Sequence, residues 1–424
     1  MKLVNKIIKK NKFKINFKNN NHFALKWPLK FLSYIWDYIH IIRRFAYNNG
    51  FLKSTRIFTP IISVGNLSFG GTGKTPMVMW LTEYFNLKDK KIMILTRGYK
   101  GKLEYKNGAI LSYKSSLGQY QYQDQDQYQD QDRKSDSCMR VDSNVKNTKY
   151  LFSKEGNPDP YIYGDEPVLL SKRINRGGVI IGANRVENLK KYFNRIGPDL
   201  ILLDDGFQHL KLYRDLNIVL FDASMPLEMY EVFPLGKLRE NLSALRDADI
   251  LVINKVDTLK VRPLGVDVNI SVDSLQLDKL DLLISKLKKF TRIDAIFIQT
   301  KYEITGFYNC FNQKIYLPNE INGKKIIAMA GIASADSFFS SLSLLGGNVI
   351  EKIVLRDHHY YNKKYLDEVI SNISKLNAIL ITTEKDIIKI KEIVVNNSLL
   401  FAAIKIKFVR GEDEFKKLIE KVLY

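Results

Sequence analysis

The sequence predicts an α/β protein: a doubly wound parallel sheet carrying a phosphate-binding loop, followed by a second, smaller α/β domain. Three observations carry this expectation. Apolar runs of strand length alternate with helix-like segments, as parallel strands alternate with crossover helices. A glycine-rich stretch, SFGGTGKTP (Ser68 to Pro76), lies between one such run and a helix. A second strand–helix alternation begins near residue 295, and 424 residues are too many for one hydrophobic core.

Residues 1–22 read as a disordered basic extension, with Lys2, Lys6, Lys9, Lys10, Lys12, Lys14 and Lys18 and no helical apolar period. Residues 23–54 hold the first apolar segment, FALKWPLKFLSYIWDYIHIIRRF. Ser33, Asp37, His40 and Arg44 form one polar stripe on a helix, with Phe31, Leu32, Ile35, Trp36, Ile39 and Ile42 around the rest. Asp37 and His40 interrupt the run short of the ~18 apolar residues of a spanning helix. A helix lying in the membrane interface is expected, ahead of one packed on the domain core.

The run TPIISVGN reads as a buried strand, KTPMVMWLTEYF as a helix and KIMILTRGY as the next strand. Residues 102–160 contain QYQYQDQDQYQDQD, a low-complexity tract with no apolar period, expected to be a disordered insertion. Strands resume at GGVIIGANR, PDLILLDDGFQH, LNIVLFD and ADILVINKVD. Residues 55–294 are thus expected to form the first domain and 295–424 the second, with IDAIFIQTKYEITGFYN as a strand pair at the hinge.

Hydrophobic content of 45% is that of a folded body, and the formal net charge of +21 favours anionic partners. Two cysteines, Cys138 and Cys310, supply neither a disulfide framework nor a four-thiolate metal site, and fit a reducing cytosol. No cleavable signal peptide is expected at the N-terminus.

The loop lacks the first glycine of the Walker A pattern G-x-x-x-x-G-K-[ST]; Ser68 stands in its place. The chemistry survives. Gly70, Gly71 and Gly73 let successive backbone N–H groups point at phosphate oxygens. Lys74 adds a positive charge, and Thr75 offers a hydroxyl to Mg²⁺ at a helix N-terminus. The expected nucleotide loop is Ser68, Phe69, Gly70, Gly71, Thr72, Gly73, Lys74 and Thr75. LILLDDG supplies Asp204 and Asp205 at the end of a buried run, the position from which a carboxylate holds Mg²⁺. INKVD, Asn254 to Asp257, matches the guanine-reading pattern of GTPases, but Leu203 stands where their Asp-x-x-Gly element needs an aspartate. A polar strand-to-helix turn is therefore the favoured reading.

VGNLSFGGTGKTP, TRGYKG, GDEP, GANR, DDGFQH, PLGKLRE, AGIASADSFF, RDHHYY and TTEKD occur in this order. Together they resemble the tetraacyldisaccharide 4'-kinase (lipid A 4'-kinase) family, from about residue 25 to about 410. That family's loop also lacks the first Walker glycine. The resemblance implies two α/β/α domains joined by a short strand linker, with the active site in the cleft. It implies phosphoryl transfer from ATP to the 4'-hydroxyl of a tetraacylated disaccharide 1-phosphate, giving lipid IVA at the cytoplasmic face of a Gram-negative inner membrane. The expected partners are this lipid and the membrane surface, with no nucleic acid and no obligate protein partner.

The resemblance also implies roles. Lys74 holds the β/γ-phosphates, Thr75 with Asp204 and Asp205 the Mg²⁺. Asp165 of GDEP matches the proposed catalytic base. His358 of RDHHYY is the expected tuning partner, with His359 second. Arg185, Gln208, His209, Arg239 and Glu240 match motif positions near the cleft, as substrate or phosphate contacts. The long insertion and the N-terminal extension depart from the family pattern. The competing readings are a membrane-associated P-loop GTPase, resting on NKVD, and a nucleic-acid-binding ATPase, resting on charge alone.

Overall fold

The computed structural model describes residues 23–105, 109–114, 119–121, 158–259, 272–391, 393–394 and 398–423. The basic extension 1–22 and most of the Gln/Asp/Tyr tract lie outside them.

The strands are β1 (Ile61–Asn66), β2 (Ile92–Thr96), β3 (Ala109–Lys114), β4 (Gln119–Gln121), β5 (Gly177–Ile181), β6 (Leu200–Asp204), β7 (Leu216–Asp222), β8 (Ile250–Asn254), β9 (Ile296–Asn309), β10 (Lys314–Tyr316), β11 (Lys325–Ala330), β12 (Asn348–Val354), β13 (Ile379–Thr383) and β14 (Leu399–Arg410). They form one sheet of 14 strands in the order β12-β11-β13-β14-β9-β8-β7-β1-β6-β2-β5-β3-β4, with β10 paired to β9. Every residue of β1, β2, β6 and β8 is buried, which is why these segments read as unbroken apolar runs.

Neighbours from β9 to β5 run parallel, as do those from β12 to β14. The two parallel blocks meet at one antiparallel pair, β9 with β14. The segment expected as a strand pair at a hinge is thus a single strand of 14 residues, β9, reaching from one block into the other. The return strand β14 leads to a helix, Glu412–Lys421, whose Phe415 and Ile419 join the core of the first block. The sheet runs on without a break from the first block into residues 295–424, and the C-terminal helix crosses back to the first block.

Some of the described residues within the expected insertion belong to the folded body. Leu103 and Glu104 are buried, and β3 adds an antiparallel strand to the edge at β5. Ile110 and Leu111 carry this, an apolar pair that the low-complexity tract beside it overshadows in the sequence.

Helix α1 (Phe23–Asn48) presents its polar stripe to the protein and its apolar residues outward. Ser33 Oγ donates to the Val232 carbonyl at 2.8 Å, and Trp36 Nε1 to the Arg239 carbonyl at 2.8 Å. Arg44 pairs with Glu240, lies 2.5 Å from Asp247 and stacks on Phe207 at 4.7 Å. Phe31, Tyr34, Tyr38 and Phe45 are each at least 60% exposed, the reverse of a helix packed through its apolar face. Trp36 instead lies edge-on to Phe233 against the protein. No described helix is long and apolar enough to cross a membrane.

Arg44→Ala leaves Glu240 buried without a cationic partner. It should cost about 3–5 kcal/mol, the penalty for breaking a buried pair. Arg44→Met with Glu240→Gln should recover most of it. Denaturant melts of the two variants check this; equal losses would mean that the pair does not anchor α1.

Candidate active site

Strand β1 ends in Asn66, whose Nδ2 donates to Thr72 Oγ1 at 2.9 Å and closes the loop on itself. Ser68 forms an antiparallel bridge with Leu238, flanked by Phe69 N to the Lys237 carbonyl at 2.7 Å and Arg239 N to the Leu67 carbonyl at 2.6 Å. Its φ lies outside the left-handed region. The loop thus enters as a strand against the PLGKLRE segment, a conformation that requires no glycine at this place.

Gly73 does need to be glycine. It caps helix α2 (Lys74–Asn86) with φ 101°, and a Cβ there would lie 2.2 Å from Tyr302 Oη and 2.3 Å from Asn254 Nδ2. Those two atoms are part of a buttress beneath the loop. Asn254 Nδ2 donates to the Thr72 carbonyl at 3.1 Å and Lys255 Nζ to the Gly71 carbonyl at 3.1 Å. Lys255 also reaches Asp222 at 2.5 Å and, from the other block, Ser334 Oγ at 3.0 Å. The Asn-Lys of NKVD is therefore engaged in supporting the phosphate loop, a purpose its GTPase-like spelling does not reveal.

Beside the loop stands Asp205. Arg239 Nη1 lies 2.9 and 3.0 Å from its two carboxylate oxygens, and Lys74 Nζ is 3.5 Å away. Arg185 Nη1 donates to its carbonyl at 3.2 Å. Burial opposes ionisation of Asp205, but Lys74, Arg239 and Arg185 hold its carboxyl well below the usual range. Gln208 Nε2 donates to the Asn66 carbonyl at 2.8 Å, and its Oε1 accepts from Arg239 at 3.4 Å. Lys74 and Arg239 thus face the Asp205 carboxylate, Arg185 holds its backbone, and Gln208 braces Arg239.

Asp204 is different. It is buried, accepts from Thr96 Oγ1 at 2.8 Å, and is pushed up to about 6 by burial and by the charges of Glu166 and Asp205. A carboxylate so crowded by like charge is one that a cation would relieve. Among the described residues no cluster of three or more His, Cys, Asp or Glu side chains has metal-holding geometry. Mg²⁺ binds through one or two protein ligands plus phosphate oxygens and water, so a single carboxylate beside a phosphate loop is enough protein for it. Asp205, committed to Arg239 and Lys74, is the poorer ligand of the two.

Asp165 opens the helix Asp165–Ser171 and is 3% exposed. His358 Nδ1 lies 2.9 Å from its Oδ1, and Lys389 Nζ 3.0 Å from its Oδ2. Burial opposes ionisation, but the His358 hydrogen bond with Lys385 and Lys389 holds this carboxyl far below its ordinary value. His358 has φ 60°, a left-handed conformation costing a non-glycine residue about 1–2 kcal/mol. The ion-paired cluster it joins offsets that.

Three further residues from the sequence motifs have partners or surroundings of their own. Glu240 is buried against Arg44 of α1 and so anchors that helix. His209 is pushed down to about 3 by burial and by the charges of Arg185, Arg214, Arg43 and Lys211. His359 packs edge-on to Tyr361 at 5.1 Å, and its carbonyl accepts from Lys389 at 3.4 Å. The sequence reading missed Asn66, Asp222, Tyr302, Lys385 and Lys389. Three of them left a trace: Asn66 belongs to VGNLSFGGTGKTP, Lys385 to TTEKD, and Lys389 follows four residues later, on the same helical face.

The model of the family described as tetraacyldisaccharide-1-P 4'-kinase matches residues 25–117 and 142–424. The chain belongs to this family. Among curated relatives named tetraacyldisaccharide 4'-kinase, that of Geobacter metallireducens is 29% identical over 90% of this chain and 94% of its own length. That of Halothermothrix orenii is 27% identical over 93% of this chain and 91% of its own. A crystal structure of the Aquifex aeolicus member, described as in complex with ATP, superposes with a TM-score of 0.64 at 27% identity, covering 94% of this chain and all of that one.

Gly73→Ala should disrupt the loop, both by its φ and by the clash with Tyr302 and Asn254. Titration with a fluorescent ATP analogue should detect little or no binding, and the melting temperature should fall. Binding at the wild-type affinity would mean that the loop relaxes around the methyl group.

Proposed function

We propose that this chain transfers the γ-phosphoryl group of ATP to the 4'-hydroxyl of a tetraacyldisaccharide 1-phosphate, the lipid IVA-forming step of lipid A biosynthesis. The single observation that supports this most directly is the meeting, at one sheet, of a phosphate loop with the ion-paired Asp165–His358 couple. The first is a site for the donor and the second a proton acceptor for an alcohol.

In this reading ATP sits with its phosphates on the amides of residues 70–75 and on Lys74, at the N-terminus of α2. Lys74 and Arg239 leave Asp205 for the phosphoryl oxygens as the nucleotide enters. Mg²⁺ neutralises charge on the phosphates when bound, with Asp204 and Thr75 as its protein ligands. The 4'-oxygen attacks the γ-phosphorus, the bond to the β–γ bridging oxygen breaks, and ADP leaves. The hydroxyl proton passes to the Asp165–His358 couple. A strongly ionised Asp165 is a weak base but a good hydrogen-bond acceptor. That suffices in a loose transition state, where orientation of the incoming oxygen matters more than early proton removal.

The exposed apolar side of α1 suits a lipid substrate. With Phe31, Tyr34, Tyr38 and Phe45 outward and the polar stripe docked, the helix would lie in the interface of an anionic bilayer. Because ATP is the donor, this is the cytoplasmic face of the inner membrane. The interleaved aromatic and basic residues of α1 and the net charge of +21 support that placement.

Transfer of labelled γ-phosphate to purified disaccharide 1-phosphate tests the proposal. Lys74→Ala should abolish it, since a preorganised charge on the transferring group is worth several kcal/mol. Asp165→Ala should lower kcat by about 10²–10⁴-fold with ATP binding retained. GTP hydrolysis without lipid would favour a GTPase instead.

Phe31→Glu with Tyr38→Glu should shift the protein from sedimenting anionic vesicles to the supernatant without lowering its melting temperature. Trp36→Glu should destabilise the fold, because Trp36 faces the protein. Vesicle binding unchanged in the double variant would remove α1 as the membrane contact.

A further inference from the structure

Helix α3 (Glu384–Ile390) carries two lysines that the phosphate loop does not use. Lys385 and Lys389 are four residues apart and share a face. Lys389 Nζ lies 3.0 Å from Asp165 Oδ2, with both side chains 3% exposed. The same ammonium donates at 3.4 Å to the carbonyl of His359, the neighbour of His358 in the chain. It therefore touches both arms of the Asp165–His358 couple: the carboxylate directly, and the histidine through its adjoining backbone.

We propose that Lys389 is a positioning residue of the phosphoryl-transfer reaction: its buried ammonium clamps Asp165 Oδ2 to the His358–His359 turn. The inference rests on the reading that Asp165 receives the hydroxyl proton. Geometry makes the role specific. Oδ1 accepts from the Glu166 amide at 3.0 Å, and His358 Nδ1 faces both oxygens, 2.9 Å from Oδ1 and 3.0 Å from Oδ2; Lys389 adds a buried ammonium directly at Oδ2. Lys385 works on the far side of the ring, 3.4 Å from His358 Nε2, 3.1 Å from Glu166 and 3.1 Å from Asp357. An ammonium donor at Nε2 leaves the imidazole proton on Nδ1, facing Asp165. Without Lys389 the carboxylate keeps its bonds to His358 and the Glu166 amide but loses one of the two lysine charges that oppose its burial.

A kinase pH profile separates positioning from simple structural support. The groups facing Asp165 are His358 and Asp357 from the RDHHYY turn, Lys385 and Lys389 from α3, Glu166 beside it, and Tyr161 from the preceding turn. Loss of one positive charge raises the carboxyl pKa, so activity should fail at a higher pH as acid is added. In Lys389→Gln the acidic limb of kcat/KM should move up by about 1–3 pH units, the effect of one opposite charge on a carboxylate. ATP affinity should not change. Lys389→Arg, which keeps the charge, should hold the limb near its wild-type position. A Lys389→Gln protein with lower activity but an unshifted limb, or with wild-type activity, overturns the proposal.

Should Lys389→Gln fail to fold, the stability cycle of Asp165→Asn, Lys389→Met and the double variant decides. Each single change strands a buried charge, so the double variant should be more stable than either; additive losses overturn the clamp. Asp165→Asn with undiminished kcat would instead refute the base reading, a result independent of the position of the limb.

Discussion

The ion-paired carboxylate of Asp165 holds the two blocks of the sheet in register at the site. Asp165 belongs to the first block, while His358, Lys385 and Lys389 belong to the second. A carboxylate this deeply buried is costly unless matched by charge and hydrogen bonds. The matching charge comes from across the gap, so the two blocks cannot separate there without stranding the carboxylate. The long antiparallel pair β9 and β14 provides the hinge side of the same junction. The buried Asp386 steadies the second block near the cluster, accepting from Gly331 N at 2.9 Å, Tyr361 Oη at 2.8 Å and Thr383 Oγ1 at 2.6 Å. Three motifs, AGIASAD, RDHHYY and TTEKD, thereby meet around one carboxylate.

A second chain of contacts runs from α1 to the phosphate loop. Trp36 holds the Arg239 carbonyl, Arg44 holds Glu240, and Arg43 Nη2 donates to the Gln208 carbonyl at 3.0 Å. Arg239 in turn holds Asp205, which faces Lys74. The surface expected to meet lipid and the lysine expected to meet ATP are thus linked through one loop. The inverted helix explains why PLGKLRE pairs with the phosphate loop: one segment seats α1 on one side and aligns Ser68 on the other.

The phosphate loop departs from the Walker spelling for a local reason. Glycine is required where φ is positive or where a neighbour leaves no room, and Gly73 meets both conditions. Ser68 meets neither, since its backbone is extended and bridged to Leu238. Buttressing of the loop by Asn254, Lys255 and Tyr302 then supplies rigidity from outside the loop itself.

The sequence by itself determined the elements whose signal is local. Continuous apolar runs marked β1, β2, β6 and β8, because strands buried on both faces admit little else. Gly-Lys-Thr after such a run marked the phosphate loop, because strand, turn and helix N-terminus follow from adjacent residues. The ordered motifs marked the family. Tertiary structure alone decided everything that depends on residues far apart in the chain. Asp165 and His358 are 193 positions apart, and only folding brings them into contact. It assigned Glu240 to Arg44, placed Asn254 and Lys255 under the loop, and turned the apolar side of α1 outward. A helical period fixes which residues share a face; what that face meets depends on the charges that other segments bring to it.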